Sequence, residues 1–157
     1  MIVLFRVDDR LIHGQVVLGW GTFLKPDRII LADDLVASNE WERDLYASAA
    51  PPEIKVSILA LTEAAAQLKA GIFDGEKVIL LVKHPKNVLS LMDLGLPVSE
   101  VNVGGIHYRE GREKVLENVY LDADERSIMR ELVKRGVTLD GRALPSSKTV
   151  TLNSRVV

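Results

Sequence analysis

Val78-Ile79-Leu80-Leu81-Val82 sets five apolar residues in succession, and that run restricts the fold more than any other feature of the chain. A strand with one face in water alternates apolar and polar side chains. A run apolar at every position suits a strand of a parallel sheet covered on both faces. The run is also far short of the roughly 20 residues needed to span a bilayer. Comparable β-rich runs stand at residues 2–7, 28–32, 55–60, 100–103, 118–121 and 137–139, and residues 77–82 complete the set of candidate strands.

Helical patterns lie between these runs. Val16, Val17, Trp20, Phe23 and Leu24 form an apolar stripe at helical period, with Trp20 read as a core residue. Residues 37–50 read as a second helix, stopped by Pro51-Pro52. Thr62 is placed to N-cap a helix over 63–70, with Gly71 just past its end. A shorter helix over 85–94 is closed by Gly95 and Pro97. Asp122 with Glu125 three residues later has the form of a capping box, and Gly136 closes that helix. Strands alternating with helices predict an α/β fold: one doubly wound domain over residues 1–157, with a mostly parallel central sheet of six to seven strands and helices on both faces. Residues 104–117 mix Gly, Tyr, Arg and Glu without a period and read as loop or hairpin. Residues 146–152 read as strand-like.

Composition removes several function classes. A formal net charge of −2 argues against general nucleic-acid binding, which needs a basic face. With no cysteine, disulfides, thiolate chemistry and cysteine-ligated metals are excluded. The three histidines have no metal-ligand spacing, so neither a metal nor another cofactor is expected. No basic-then-apolar leader precedes the first strand, and the expectation is a cytoplasmic protein.

The segment Arg6-Val7-Asp8-Asp9-Arg10-Leu11-Ile12-His13-Gly14-Gln15 follows the first strand and leads into the first helix. Backbone N–H groups and the helix dipole favour an anion there. A neutral imidazole has one nitrogen with a free lone pair and can attack phosphorus, so His13 reads as a phosphoryl acceptor. Arg10 and Arg6 can supply fork-shaped donors to the phosphoryl oxygens, and the amides of Gly14 and Gln15 lie at the helix start. Asp8 or Asp9 can orient the imidazole or anchor an arginine. The plain alternative is a solvated turn in which the histidine only caps a helix, and phosphate-loop spacing is absent.

The eleven residues from Arg6 to Val16 resemble the N-terminal signature of the IIB subunits of the mannose/fructose/sorbose family of the bacterial sugar phosphotransferase system. Asp33-Asp34, Ala49-Ala50-Pro51 and Val101-Asn102-Val103-Gly104-Gly105 resemble further landmarks in the family's order, so the likeness covers roughly residues 1–145. It implies that the chain accepts a phosphoryl group from the histidine of a IIA protein and holds it on Nδ1 of His13. The group then passes to a sugar entering through the membrane components IIC and IID, with the protein peripheral to that permease. The resemblance makes His13 the carrier, Arg10 the phosphate clamp and Asp8 the orienting partner. Residues 140–157 depart from the pattern, because the family continues with a final helix where this chain reads as strand. That departure keeps a regulatory reading open, in which phosphorylated His13 signals to a partner without feeding transport. The apolar runs also leave room for a homodimer interface.

Other residues divide between site and scaffold. Asp33 either contacts the His13 loop or caps the next helix. Asn102-Val103-Gly104-Gly105, at a strand end where paired glycines permit close backbone approach, is read as a loop bordering the His13 site. His84 and His107 are read as loop histidines near the same crevice, and Arg109 and Arg112, interleaved with Glu110 and Glu113, as a solvated face.

Overall fold

In the computed structural model, which describes residues 1–157, the central sheet has six strands in the order β3-β2-β4-β1-β5-β8, every neighbouring pair parallel. These are β1 (Ile2–Asp8), β2 (Arg28–Ala32), β3 (Lys55–Leu59), β4 (Val78–Val82), β5 (Glu100–Gly105) and β8 (Thr138–Asp140). β4 is buried at every position between β2 and β1, as its unbroken apolar sequence requires.

Two cores flank the sheet. Ile29, Leu31, Ile79 and Leu81 pack on one face with Leu11, Ile12, Val16 and Trp20. Ile30, Ala32, Val78, Leu80 and Val82 point the other way, onto Ala64, Val88, Leu91, Met129 and Leu132. The two-residue repeat of the strands thus sorts one sequence into two layers. The second layer is carried by α4 (Leu61–Lys69), α5 (Pro85–Asp93) and α6 (Ala123–Lys134). The expected box at the start of α6 is present: Glu125 N–H donates to Asp122 Oδ1, and Asp122 N–H donates to Glu125 Oε1.

Several expectations are corrected. Residues 118–121 do not join the central sheet; β7 (Val119–Leu121) pairs antiparallel with β6 (Glu113–Leu116) in a separate hairpin. The helix expected over 37–50 is α3 (Glu40–Ser48), which starts later because Asn39 leaves the helical backbone and caps Glu42 N–H, and a separate short helix, α2 (Asp34–Ala37), precedes it. Thr62 caps nothing: α4 begins one residue earlier, and Asp34 Oδ1 accepts from the Leu61 N–H. The helix after β1 starts as a π-helical turn (Gln15–Trp20) and tightens into α1 (Gly21–Leu24). Of residues 146–152 only Thr151 makes a β-bridge, to Asp140, and α7 (Asn153–Val156) ends the chain. No helix is long and apolar enough to cross a membrane.

Candidate functional site at the end of β1

Alternation along β1 sends Phe5 and Val7 into the core beneath α4 to α6, so Arg6 and Asp8 face the opposite layer. Both are fully buried. An arginine inside a sheet layer needs partners for its donors. Arg6 Nε and Nη2 donate to Asp8 Oδ2 at 3.2 and 2.9 Å, and Nη1 donates to Asn102 Oδ1 at 2.8 Å and to the Ala143 carbonyl at 2.9 Å. Asn102 sits opposite Arg6 on β5 and holds the C-terminal segment through bonds from Nδ2 to Asp140 and to the Arg142 carbonyl. Trp20, a core residue as expected, donates from Nε1 to the same Ala143 carbonyl at 2.9 Å.

Gly104 and Gly105 belong to β5 rather than to a loop. A Cβ on Gly104 would overlap the Arg6 guanidinium, and one on Gly105 would lie 3.1 Å from the Asp8 carboxylate. The paired glycines therefore make room for a buried ion pair. Arg6 is likewise not a donor facing outward: all its reach is spent on Asp8, Asn102 and Ala143.

Asp8 gathers the rest of the site. Its Oδ2 faces His13 Nε2 at 2.8 Å, and its Oδ1 accepts the Arg10 backbone N–H at 3.0 Å. Burial alone would raise the Asp8 carboxyl, but the His13 hydrogen bond, the Arg6 charge and the Arg10 N–H outweigh it and hold it below the ordinary carboxylate value. An ionised Asp8 can only accept, so the Nε2 contact fixes the His13 tautomer with its proton on Nε2. The lone pair is then on Nδ1, which faces the Gln15 backbone N–H at 3.3 Å. The His13 side chain keeps 17% of its surface open. Arg10 is 43% exposed beside it, with Nη2 donating to Gln15 Oε1 at 2.9 Å and Nε 3.8 Å from Asp8 Oδ1. The arrangement can present a nucleophilic ring nitrogen, with a buried carboxylate on the other ring nitrogen and a half-exposed guanidinium held nearby by Gln15.

A cleft of about 690 Å³ opens alongside, at the C-terminal edge of the sheet where parallel α/β folds bind ligands. Asp9, Asp33, Lys83, His84, His107 and Arg112 line it, and His13 does not. Asp33 resolves as a cap: its Oδ1 accepts from Val36 N–H. His84 caps α5 and places Nε2 3.0 Å from Glu125 Oε2; burial lowers its pKa against the pull of that carboxylate. His107 meets Asp9 through both its ring and its backbone N–H. Arg112 is no solvated residue, being 7% exposed and bonded to Glu125 at 2.6 and 2.9 Å. Arg109 does stay exposed, 3.9 Å from Asp122.

Asn102 borders the site as expected, but from within β5, while its bond to Arg6 and the part played by the Ala143 carbonyl are not legible in the sequence. One signal existed for the first: an asparagine between Val101 and Val103 in an otherwise apolar strand needs a polar partner inside.

Comparison with known proteins identifies the family. The family described as "PTS system sorbose subfamily IIB component" (PTS, phosphotransferase system) matches residues 2–156. The sorbose-specific EIIB component of Lacticaseibacillus casei is 35% identical over 156 residues, which cover 99% of this chain and 95% of that one. The mannose-specific EIIAB component of Escherichia coli (strain K12) is 32% identical over 159 residues, covering 99% of this chain and 49% of its own length. The solved IIBSor domain of the sorbose permease from Klebsiella pneumoniae has a TM-score of 0.91 at 36% identity, with 99% of this chain and 96% of that one covered. Fold and relatives together define a phosphotransfer protein of the bacterial sugar phosphotransferase system. The chain belongs to the sorbose-subfamily IIB components, which work with IIA and IIC/IID partners. The matched span runs to residue 156 and so takes in α7 and the segment before it.

Proposed function

We propose that the single domain formed by residues 1–157 acts as a protein-Nπ-phosphohistidine–sugar phosphotransferase, with His13 as the carrier. The observation that carries this reading is the orientation of one ring: Nε2 is tied to Asp8, which leaves the lone pair on Nδ1, where its partner is the Gln15 backbone N–H at 3.3 Å. The Nδ1 lone pair attacks the phosphorus of a IIA phosphohistidine, the donor's P–N bond breaks, and its imidazole leaves with the bonding pair. As the His13 ring becomes cationic, Asp8 takes a stronger hydrogen bond from Nε2–H. Arg10 swings from Gln15 to the phosphoryl oxygens, and the Gln15 amide, released from Nδ1, donates to the same group. In the second half a sugar hydroxyl attacks phosphorus and gives up its proton to solvent, the Nδ1–P bond breaks with its electron pair returning to Nδ1, and the ring is again neutral with its proton on Nε2.

The sugar is presented by the membrane IIC/IID components, and the protein docks on them from the aqueous side. Exposed Leu18, Phe23, Leu35 and Trp41 on the helices of one face give that attachment, or a homodimer, an apolar surface. Incubation with a phosphorylated IIA protein, followed by assay of acid-labile, base-stable phosphate, tests the reading. Label on the wild type and none on His13→Ala is expected; label retained by His13→Ala would refute it.

A further inference from the structure

Asp9 contributes nothing to the Arg6–Asp8–His13 chain, yet it is more tightly held than a surface turn residue needs to be. Its backbone N–H donates to the Gly105 carbonyl at 2.9 Å, extending the β1–β5 ladder past the strand. Its carboxylate receives the His107 backbone N–H at 2.9 Å on Oδ2 and meets His107 Nδ1 on Oδ1. The His107 carbonyl accepts in turn from Arg112 Nη1 at 2.7 Å, and Arg112 is locked to Glu125 at the start of α6. Glu125 is 1% exposed, and its carboxyl is held below the ordinary value: burial would raise it, but the Arg112 bonds and the Asp122 N–H prevail. Such buried charge pairs are weak contributors to stability and are better evidence of a fixed geometry.

What this chain of contacts fixes is a strained turn. Leu11 has φ of 60°, the left-handed region, which costs a branched residue on the order of 1–2 kcal/mol. Its N–H closes the turn onto the Asp8 carbonyl at 3.0 Å, and Arg10 projects from the same turn. Asp8 secures the turn through Arg6 and Asn102 on one side, and Asp9 secures it through His107 on the other.

We propose that Asp9 and His107 are positioning residues for phosphoryl transfer: they pin the turn that aims Arg10 at His13, with Arg112 and Glu125 as the anchor on α6. The inference rests on His13 being the phosphoryl carrier. His107 is half exposed, so replacing it leaves the core intact. His107→Ala removes the ring contact, whereas His107→Asn supplies a side-chain amide that can donate to Asp9 again.

Hydrogen exchange of the Leu11 amide reads the turn directly and needs no activity. It is expected to quicken by about tenfold or more in His107→Ala, to return near the wild-type rate in His107→Asn, and to leave β4 amides unchanged. In single-turnover phosphorylation by a phosphorylated IIA protein, His107→Ala should lower the maximal rate by about tenfold while the half-saturating donor concentration stays within about twofold. His107→Asn should recover most of that rate. Unchanged Leu11 exchange in His107→Ala overturns the inference, and so does a loss confined to the half-saturating concentration, which would make His107 a docking contact. Equal impairment by Ala and Asn overturns it as well. A wild-type protein that takes no phosphate would refute the carrier reading instead, and the exchange result would still decide whether His107 holds the turn.

Discussion

Gly104→Ala is a one-carbon change on the far side of β5 from solvent, and it strikes the support of His13 without touching His13. The added Cβ would occupy the volume of the Arg6 guanidinium. Arg6 is fully buried and bonded to Asp8, Asn102 and Ala143, and the Trp20 ring centroid lies 6.0 Å from its guanidinium carbon, so yielding to the new Cβ means giving up these bonds. Either β5 moves away from β1 or Arg6 leaves Asp8. The second outcome strands a buried carboxylate, and breaking a buried pair this way costs about 3–5 kcal/mol. For a chain of this size each kcal/mol moves the thermal midpoint by roughly 2–4 °C, so a fall on the order of 10 °C is expected. Gly75→Ala is the control: nothing lies within 4 Å of its Cβ and its backbone is not left-handed, so its midpoint should stay within about 1 °C. Calorimetry or a circular-dichroism melt measures both, and phosphorylation by a IIA donor is followed on the folded fraction, where Gly104→Ala should be slow. A Gly104→Ala protein with the wild-type midpoint and wild-type phosphorylation would refute the argument that the glycine exists to house Arg6.

Three further outcomes follow from the same contacts. Arg10→Ala removes a half-exposed side chain bonded only to Gln15 and, at longer range, Asp8; the melt should hardly move, while phosphoryl acceptance falls by about 10²–10³-fold. Asp8→Asn is destabilising at neutral pH because it leaves Arg6 without its counter-charge. The folded Asp8 pKa lies below its unfolded value of about 3.9, so its stabilisation is complete above that value and is lost as pH falls through the lower folded pKa. The stability gap between wild type and Asp8→Asn, measured by denaturant titration, should therefore narrow as pH drops below about 4. Asn102→Ala cuts Arg6 and the C-terminal segment together, and should cost about 2–4 kcal/mol while exposing residues 140–143 to faster hydrogen exchange.

The parts of this fold legible in the sequence are those whose cause is local. β4 could be read because burial on both faces leaves an unbroken apolar run, and α6 because Asp122 and Glu125 satisfy each other three residues apart. Asn39 was missed inside an otherwise helical pattern, since its capping bond to Glu42 competes with a helix that the apolar spacing alone would continue. Residues 118–121 have strand composition, but composition does not say which strand they pair with, and their partner is the nearby β6. In the site, His13, Arg10 and Asp8 lie within one short segment and were named together. The role of Arg6 was misread because its deciding partners, Asn102 and Ala143, are 96 and 137 residues away in sequence. Arg112 was misread for a related reason: alternating charges look solvated until the hairpin folds one of them against Glu125.

Everything proposed for this site turns on the phosphoryl group residing on one nitrogen of one histidine. Phosphorylated protein labelled with ¹⁵N allows the ring nitrogens of His13, His84 and His107 to be distinguished through their couplings to ring protons and to ³¹P. A single phosphorus coupling is expected, to Nδ1 of His13, with Nε2 still protonated and hydrogen-bonded to Asp8. Coupling to Nε2 of His13, or to either ring nitrogen of His84 or His107, would contradict it.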